Sequence, residues 1–299
     1  RRYMSQLREE KRYSSAKSYQ DALNSFIKYS GTENISYSDI NKANLHRYEA
    51  YLLENDCMRN TVSTYIRRLR CIYKAVENGD AEYIPGLFQG VFTGVESKRK
   101  KSLSLENQHK LMTVKVESEV LRETQLVVCL LFQYAGMSFV DFAHLKERNI
   151  KNGILDYNRQ KTGTPMRLEI LDTAELMRKE LMGDKKPASG YLFPFLSGTK
   201  TGYEAYLEYN AALSRFNRNL KALKKAAGIA SDVTSYTIRH SFAMALKEQN
   251  VPIEMISELL GHKSIKTTQI YLRSFSLEKM TEVNSTCFGC VYNYVSKVG

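Results

Sequence analysis

Several features are missing from this chain of 299 residues, and their absence narrows what it can be. It has no tryptophan, and no apolar run approaches the roughly 18 residues that a membrane span requires. It also lacks a signal-peptide pattern, which combines a basic start, an apolar stretch and a small-residue cleavage site. These absences argue against an integral membrane protein and against a secreted one.

Cysteine is scarce. The chain has five, an odd number that does not suit a complete disulfide framework, so we expect a reducing cytoplasm. Cys287 and Cys290 form one CxxC pair with no second pair to complete a zinc site, and we interpret it as incidental. None of the five histidines has ligand spacing with a carboxylate. We therefore expect neither a metal nor another cofactor.

Acidic residues are outnumbered by basic ones. The chain has 44 lysines and arginines against 32 aspartates and glutamates, a net charge of +12 at pH 7. A basic balance without a membrane signal favours nucleic acid as the partner, although a merely basic enzyme is the alternative. The length predicts two domains, and a hydrophobic content of 43% is enough to bury their cores.

The most informative pattern is the span YTIRHSFAMALKEQNVPIEMISELLGHKSIKTTQIY, from Tyr236 to Tyr271. It contains the chemical groups needed to cut DNA reversibly. A tyrosine phenolate that attacks phosphorus forms an ester similar in energy to the bond broken, so no nucleotide cofactor is needed for rejoining. Arg239 can hold two phosphate oxygens with its planar fork, and His262 can add another donor. Each residue alone has an ordinary structural explanation, but together they indicate phosphoryl transfer.

This span resembles the C-terminal signature of the tyrosine recombinases of the phage-integrase type. The resemblance rests on the Arg-His pair, the intact Leu-Gly-His turn and the late tyrosine. It implies that Tyr271 is the nucleophile, that it forms a 3′-phosphotyrosyl link, and that Arg239 and His262 hold the phosphate. His240 and Tyr236 are expected to support them from the next layer of residues.

A predicted hairpin supplies a further candidate. Residues 154–157 and 166–170 alternate between apolar and polar, and Arg159 to Gly163 lie between them. Lys161, in the sequence Lys-Thr-Gly, matches the lysine that in this family protonates the departing 5′ oxygen. Without the resemblance, a lysine in a hairpin is usually a solvated tip.

Two positions depart from the family pattern. Ser138 stands where the first catalytic arginine is expected, and Tyr236 stands where histidine is usual. Loss of one charged donor typically costs about 10²–10³ in rate unless another cation replaces it. Arg159 is the nearest candidate, with Arg122 and Arg167 behind it, and the sequence does not choose among them. Integrases and invertases of Bacteroides-type mobile elements, which this chain resembles, vary at this arginine and remain recombinases.

The fold is predicted to be mainly α, in two domains. Residues 1–92 show helical periodicity and resemble the family's core-binding domain, a SAM-like bundle. Residues 104–299 are predicted to form an α+β catalytic domain with a small antiparallel sheet and a C-terminal tail that docks on a neighbouring protomer. Ser14 or Ser15 is predicted to cap a helix that ends at Gly31, Ser104 to cap another, and residues 120–135 to form a buried central helix.

Two basic segments are predicted to contact DNA phosphates. One is a helix face in the first domain, for which an ordinary solvated face is the alternative; the other is an interdomain linker, residues 93–103, whose like charges repel and extend it. The residues concerned are Arg67, Arg68, Arg70 and Lys74 on the helix, Lys98, Arg99, Lys100 and Lys101 in the linker, and Arg159 in the hairpin.

The leading hypothesis is a site-specific recombinase of the bacterial cytoplasm, associated with the nucleoid. Exchange between two duplexes needs four protomers, so the resemblance implies a homotetramer assembled on double-stranded DNA, with accessory DNA-bending proteins as candidate partners. Integration, excision and inversion all stay open. One alternative is a DNA-binding protein with a degenerate site, and another is a type IB topoisomerase, which uses the same chemistry as a monomer.

Overall fold

The computed structural model describes residues 2–76, 84–96, 102–185, 187, 190–272, 280–281 and 283–286. The chain divides into two compact units between residues 99 and 100, with Thr201–Tyr206 grouped with the first. Within the described ranges, no helix is both long and apolar enough to cross a membrane. The predicted basic run at Lys98–Lys101 and the pair Cys287 and Cys290 lie outside the described residues, as does most of the predicted tail.

The first unit is a helical bundle around one apolar core. Helices α2 and α4 pack against each other, and the fully buried rings of Phe26, Tyr48 and Tyr73 lie among the core side chains. Its helices are α1 (Arg2–Glu9), α2 (Tyr13–Ser30), α3 (Lys42–Glu54) and α4 (Arg59–Val76).

Helix α2 begins differently from the prediction. Arg12 precedes its first residue and supplies no side-chain cap, so the prediction of a cap at Ser14 or Ser15 is wrong. Both serines lie inside the first helical turn. The predicted end is confirmed: Gly31 has a φ of 70°, which glycine adopts without strain, and its amide donates to the Ile27 carbonyl.

The described residues of the second unit form helices and a small sheet, and together with the helical first unit they confirm the predicted fold class. Three antiparallel strands lie in the order β1-β2-β3: β1 (Ile150–Lys151), β2 (Ile154–Asn158) and β3 (Pro165–Glu169). The helices are α5 (Leu105–Thr113), α6 (Glu119–Gln133), α7 (Phe139–Ala143), α8 (Asp172–Met182), α9 (Gly202–Ala226), α10 (Ser235–Glu248), α11 (Ile253–Leu259) and α12 (Ile265–Tyr271). Strand β1 was not predicted, because two residues are too few to show alternation.

Helix α6 is the central helix of this unit. Every residue from Thr124 to Leu131 is buried, as the apolar sequence predicts, and α6 packs against α5, α8 and α10. The Ser104 hydroxyl accepts from the Asn107 amide, so the predicted cap of α5 is confirmed. Helix α10 carries Arg239, so the packing of α10 on α6 fixes the position of that arginine in the core.

Candidate active site

An open cleft of about 520 Å³ lies in the second unit and gathers most of the predicted catalytic residues. It is bordered by the start of α7, the β2–β3 hairpin, the first turns of α10 and the turn that follows α11. The predicted residues that line it are Ser138, Arg159, Lys161, Tyr236, Arg239 and His262. Lys161 is exposed on the hairpin, whereas Arg159 and Arg239 are buried.

Arg239 is held by backbone carbonyls. Its side chain leaves α10 in the second turn, after a start at which the Thr234 hydroxyl accepts from the Thr237 amide. Nη1 donates to the Gly136 carbonyl at 2.9 Å, and Nη2 donates to the Leu260 carbonyl. Nη2 also lies 3.5 Å from Nε2 of His262. A buried guanidinium fixed in this way is already oriented before any phosphate arrives.

Arg159 enters the same cleft from the hairpin. Its Nη1 donates to the carbonyls of Leu260, at 3.1 Å, and Gly261, at 2.8 Å. Its Nε lies 3.6 Å from Asp141 Oδ2 but makes no hydrogen bond within the described residues. The side chain is 9% exposed, so this cation is both desolvated and incompletely hydrogen-bonded.

The other two candidate arginines lie elsewhere. Arg122 donates from Nε to Glu180 at 2.6 Å and from Nη1 to Gln125 at 2.7 Å. Arg167 is exposed on β3, opposite Asp156 in the sheet register. Among the described cleft residues, Arg159 is therefore the one candidate that places a second guanidinium beside Arg239.

Asp141 links Ser138 to the hairpin, and sequence reasoning did not identify it. Its Oδ2 accepts from the Ser138 hydroxyl at 2.6 Å, and its Oδ1 accepts from the Gln160 amide at 2.7 Å. The carboxylate is buried, and after burial itself its charge helps to raise the pKa of Tyr209 to about 12. An acidic residue three positions after Ser138, in an otherwise apolar turn, was the available signal.

The Leu-Gly-His turn supplies the carbonyls that hold both arginines. Gly261 has a φ of 59°, in the left-handed region that favours glycine. A Cβ at this position would lie 2.4 Å from Sδ of Met166 and 2.7 Å from Cδ of Arg159. Glycine is therefore required both for the backbone conformation and for the close approach of the Arg159 stem.

His262 is tied to the helix that carries the predicted nucleophile. Its Nδ1 lies 2.8 Å from the hydroxyl of Thr268, which is fully buried on α12. Tyr271 is the last residue of α12, and its side chain lies outside the described part of the structure. Thr268 is a second residue that the sequence reasoning missed, although it lies inside the motif that ends at Tyr271.

The two supporting residues differ in exposure. Tyr236 lines the cleft and is 51% exposed, whereas His240 is buried behind the lining. Their rings meet edge to face, with centroids 4.4 Å apart. His240 therefore contacts a residue of the cleft wall and does not itself border the cleft.

The basic side chains on the predicted DNA-binding face of α4 differ in exposure and in their contacts. Arg68 donates from Nε to Ser18 and from Nη1 to the Tyr19 hydroxyl, both at 3.2 Å, and stacks on the Tyr19 ring. Arg67 is half-buried and donates to the Ser63 carbonyl, and Lys74 is exposed. Arg68 thus joins α4 to α2, and its predicted contact with a DNA phosphate stays a prediction.

Two family models match the chain. The phage integrase family model matches residues 101–278, and the phage integrase SAM-like domain model matches residues 1–84. Tyrosine recombinase XerC of Rickettsia canadensis (strain McKiel) is 24% identical over 289 residues, 88% of this chain and 86% of that protein. Tyrosine recombinase XerD of Lacticaseibacillus casei is 52% identical over 54 residues, 18% of either protein.

Solved structures establish the same fold. XerH recombinase bound to a palindromic difH substrate, in a post-cleavage complex, has a TM-score of 0.68 at 19% identity, covering 90% of this chain and 79% of that one. A lambda integrase tetramer bound to a Holliday junction has a TM-score of 0.64 at 17% identity, covering 88% and 74%. The chain therefore belongs to the phage integrase family, the tyrosine recombinases, and is an enzyme that cleaves and rejoins DNA strands.

Proposed function

We propose that this enzyme catalyses site-specific recombination through a 3′-phosphotyrosyl intermediate formed on Tyr271. The observation that carries the proposal is the convergence of Arg159, Arg239 and His262 on one cleft, in the unit whose helix α12 ends at Tyr271. Two guanidinium groups and an imidazole form the set of donors that a pentavalent phosphorane needs.

Arg159 replaces the charge that Ser138 lacks. Ser138 directs its hydroxyl at Asp141, so the serine is already engaged, whereas Arg159 brings a desolvated cation to the cleft from the hairpin. A guanidinium has five N–H donors, and those not engaged by carbonyls can reach the non-bridging oxygens of a phosphate. Arg239 and His262 hold the same oxygens.

The remaining steps are those of an in-line exchange at phosphorus. The phenolate oxygen of Tyr271 bonds to phosphorus, and the bond from phosphorus to the 5′ oxygen breaks. Lys161, exposed on the hairpin at the border of the cleft, donates a proton to the departing 5′ oxygen. His240 and Tyr236 support the wall beside Arg239 through their ring contact.

The arrangement of the whole enzyme on DNA is also part of the proposal. Residues 1–92 act as a core-binding domain, 93–103 as a basic linker and 104–299 as the catalytic domain, and four protomers assemble on double-stranded DNA. Ser138, which stands at the position where recombinases of Bacteroides-type mobile elements vary, supports a relationship to them. The outcome of the reaction would then be integration, excision or inversion. The tetramer of lambda integrase on a Holliday junction supports the assembly.

A degenerate DNA-binding protein is the second candidate, and Ser138 is the observation that favours it. Nicked suicide duplexes, made from any inverted repeats that are found beside the gene, separate the two. An active enzyme accumulates a covalent adduct on a denaturing gel, and mass spectrometry places the nucleotide on Tyr271. Tyr271→Phe should retain DNA affinity and form no adduct, because phenylalanine keeps the ring but lacks the nucleophilic oxygen. Tight binding by the wild-type protein without any adduct would support the degenerate alternative.

A further inference from the structure

We infer that Thr268 is the positioning residue for His262 and couples the helix of the nucleophile to the phosphate-binding imidazole. This inference rests on the proposed function of the same site. Thr268 has no exposed surface, and its Oγ1 lies 2.8 Å from Nδ1 of His262. A buried hydroxyl at this distance fixes the rotation of the ring, because leaving either partner unpaired in the interior is costly.

The neighbouring arginine determines which ring nitrogen carries the proton. Nη2 of Arg239 lies 3.5 Å from Nε2 of His262, and a guanidinium can only donate. In the neutral ring, an Nε2 that accepts from this guanidinium leaves the proton on Nδ1. In this state Nδ1 donates and Thr268 Oγ1 accepts.

Binding of a phosphate requires Nε2 of His262 to change from a hydrogen-bond acceptor to a donor. His262 then has to donate from Nε2 to a phosphate oxygen, so either the neutral ring changes tautomer or it takes up a second proton. In the first case Nδ1 becomes an acceptor and needs a donor; in the second it stays a donor. A threonine hydroxyl satisfies both states by rotating, because it carries one donor and two acceptor sites.

The position of Thr268 on α12 gives this contact a second consequence. Residues three apart on a helix lie on neighbouring parts of its surface, and Thr268 precedes Tyr271 by three residues. The hydrogen bond that orients His262 thus also holds the turn of α12 from which Tyr271 emerges. One buried hydroxyl group, that of Thr268, therefore aligns both the imidazole of His262 and helix α12.

Thr268→Val removes the hydroxyl with little change in volume, and Thr268→Ser retains it. We expect Thr268→Val to slow single-turnover cleavage at saturating DNA about 10- to 100-fold, by analogy with the loss seen when the hydrogen-bond partner of a metal-bound histidine is removed. DNA affinity should change less than about twofold, and Thr268→Ser should restore most of the rate. A Thr268→Val enzyme that cleaves at the wild-type rate would overturn the inference.

A double-mutant cycle separates an effect through His262 from a general loosening of α12. In a His262→Ala background, Thr268→Val should cause no further loss of rate, because the ring that it positions is gone. A full, multiplicative loss in that background would show that Thr268 acts on the helix alone, and would refute the proposed coupling.

A second measurement does not depend on catalysis. The ¹⁵N shifts of His262 in the DNA-free protein, assigned with His262→Ala, should report the neutral Nδ1–H tautomer in the wild type and a mixture of tautomers in Thr268→Val. An unchanged tautomer in Thr268→Val would reject the inference even if Tyr271 forms its adduct. If no adduct forms at all, the proposed function fails, and the ¹⁵N result alone decides the role of Thr268.

Discussion

Arg159 and Arg239 donate to the same atom, the carbonyl oxygen of Leu260. Two buried guanidinium groups of like charge repel each other, and one neutral carbonyl cannot neutralise them. Asp141, 3.6 Å from Nε of Arg159, supplies one negative charge at the edge of the pair. Carbonyl oxygens and Asp141 hold the two cations in place, and a phosphate in the cleft would add the negative charge that they still lack.

Arg159 should be as important for cleavage as an arginine at position 138 would be. We expect Arg159→Gln to lower the cleavage rate about 10²–10³-fold, the usual cost of removing one transition-state donor. Arg159→Lys should recover little, because an ammonium group lacks the planar fork. Arg167→Gln, at an exposed position on β3, is the matched control and should cleave normally. Equal rates for Arg159→Gln and Arg167→Gln in single-turnover assays would rule out this role.

Gly261 should prove necessary for the site as well as for the backbone. Gly261→Ala places a non-glycine residue at positive φ, which costs about 1–2 kcal/mol, and adds a collision with the stem of Arg159. We expect a lower Tm and a large loss of cleavage.

Gly228→Ala is the control for Gly261→Ala. Its φ is 68°, but an added Cβ meets nothing within 4 Å. It should therefore lose a similar 1–2 kcal/mol of backbone stability and retain cleavage. Thermal unfolding combined with the adduct assay measures both quantities, and full activity in Gly261→Ala would contradict the proposed packing of Arg159.

The sequence predicted those parts of the enzyme that local pattern determines. The all-round apolar run of α6 predicted burial, and alternation predicted β2 and β3. The resemblance of the motif to the family signature implied that Arg239 and His262 share one site, and both line the cleft. In each case the information lies within a short segment, so periodicity or a motif is enough to find it.

Features that depend on tertiary contacts could not be found in this way. The sequence puts Arg159 ahead of Arg122 and Arg167, because it lies beside Lys161, but does not choose among them. The packing of the hairpin on the Leu-Gly-His turn brings Arg159 to the cleft. The same limit applies to Arg68, which was predicted to contact DNA phosphates and stacks on Tyr19 of another helix. Asp141 and Thr268 were missed because a buried polar side chain is recognised by its partner, which is distant in sequence or hidden within a motif.

Substitutions of Arg68 and Arg70, both on α4, should have different effects, one on thermal stability and the other on DNA binding. Arg68 joins α4 to Ser18 and Tyr19, so Arg68→Gln should lower the Tm of the first unit. If Arg70 contacts a phosphate as predicted, Arg70→Gln should leave the Tm unchanged and reduce the slope of log Kd against log salt by about 0.9. Fluorescence anisotropy between low and moderate salt, together with thermal unfolding, tests both. An unchanged Tm in Arg68→Gln would contradict the role of its contacts with α2, and an unchanged salt slope in Arg70→Gln would contradict the predicted phosphate contact.

Lys247 should control how firmly the end of α12, the helix that carries the proposed nucleophile, is held. Its Nζ donates to the Leu272 carbonyl, one residue after Tyr271, and burial lowers the pKa of Lys247 below its ordinary value. The Leu272 side chain packs beside Ala243, Ile256 and Leu260 in a small core.

Lys247→Met keeps the length of that side chain but removes the donor, so the carbonyl at the end of α12 loses its partner at a cost of about 1–3 kcal/mol. Because α12 is short, that cost should appear as local fraying and not as global unfolding. We expect faster amide exchange near residues 268–272, a reduced cleavage rate, an unchanged Tm and recovery in Lys247→Arg. Slow exchange in Lys247→Met would mean that the apolar contacts of Leu272 are sufficient to hold the helix.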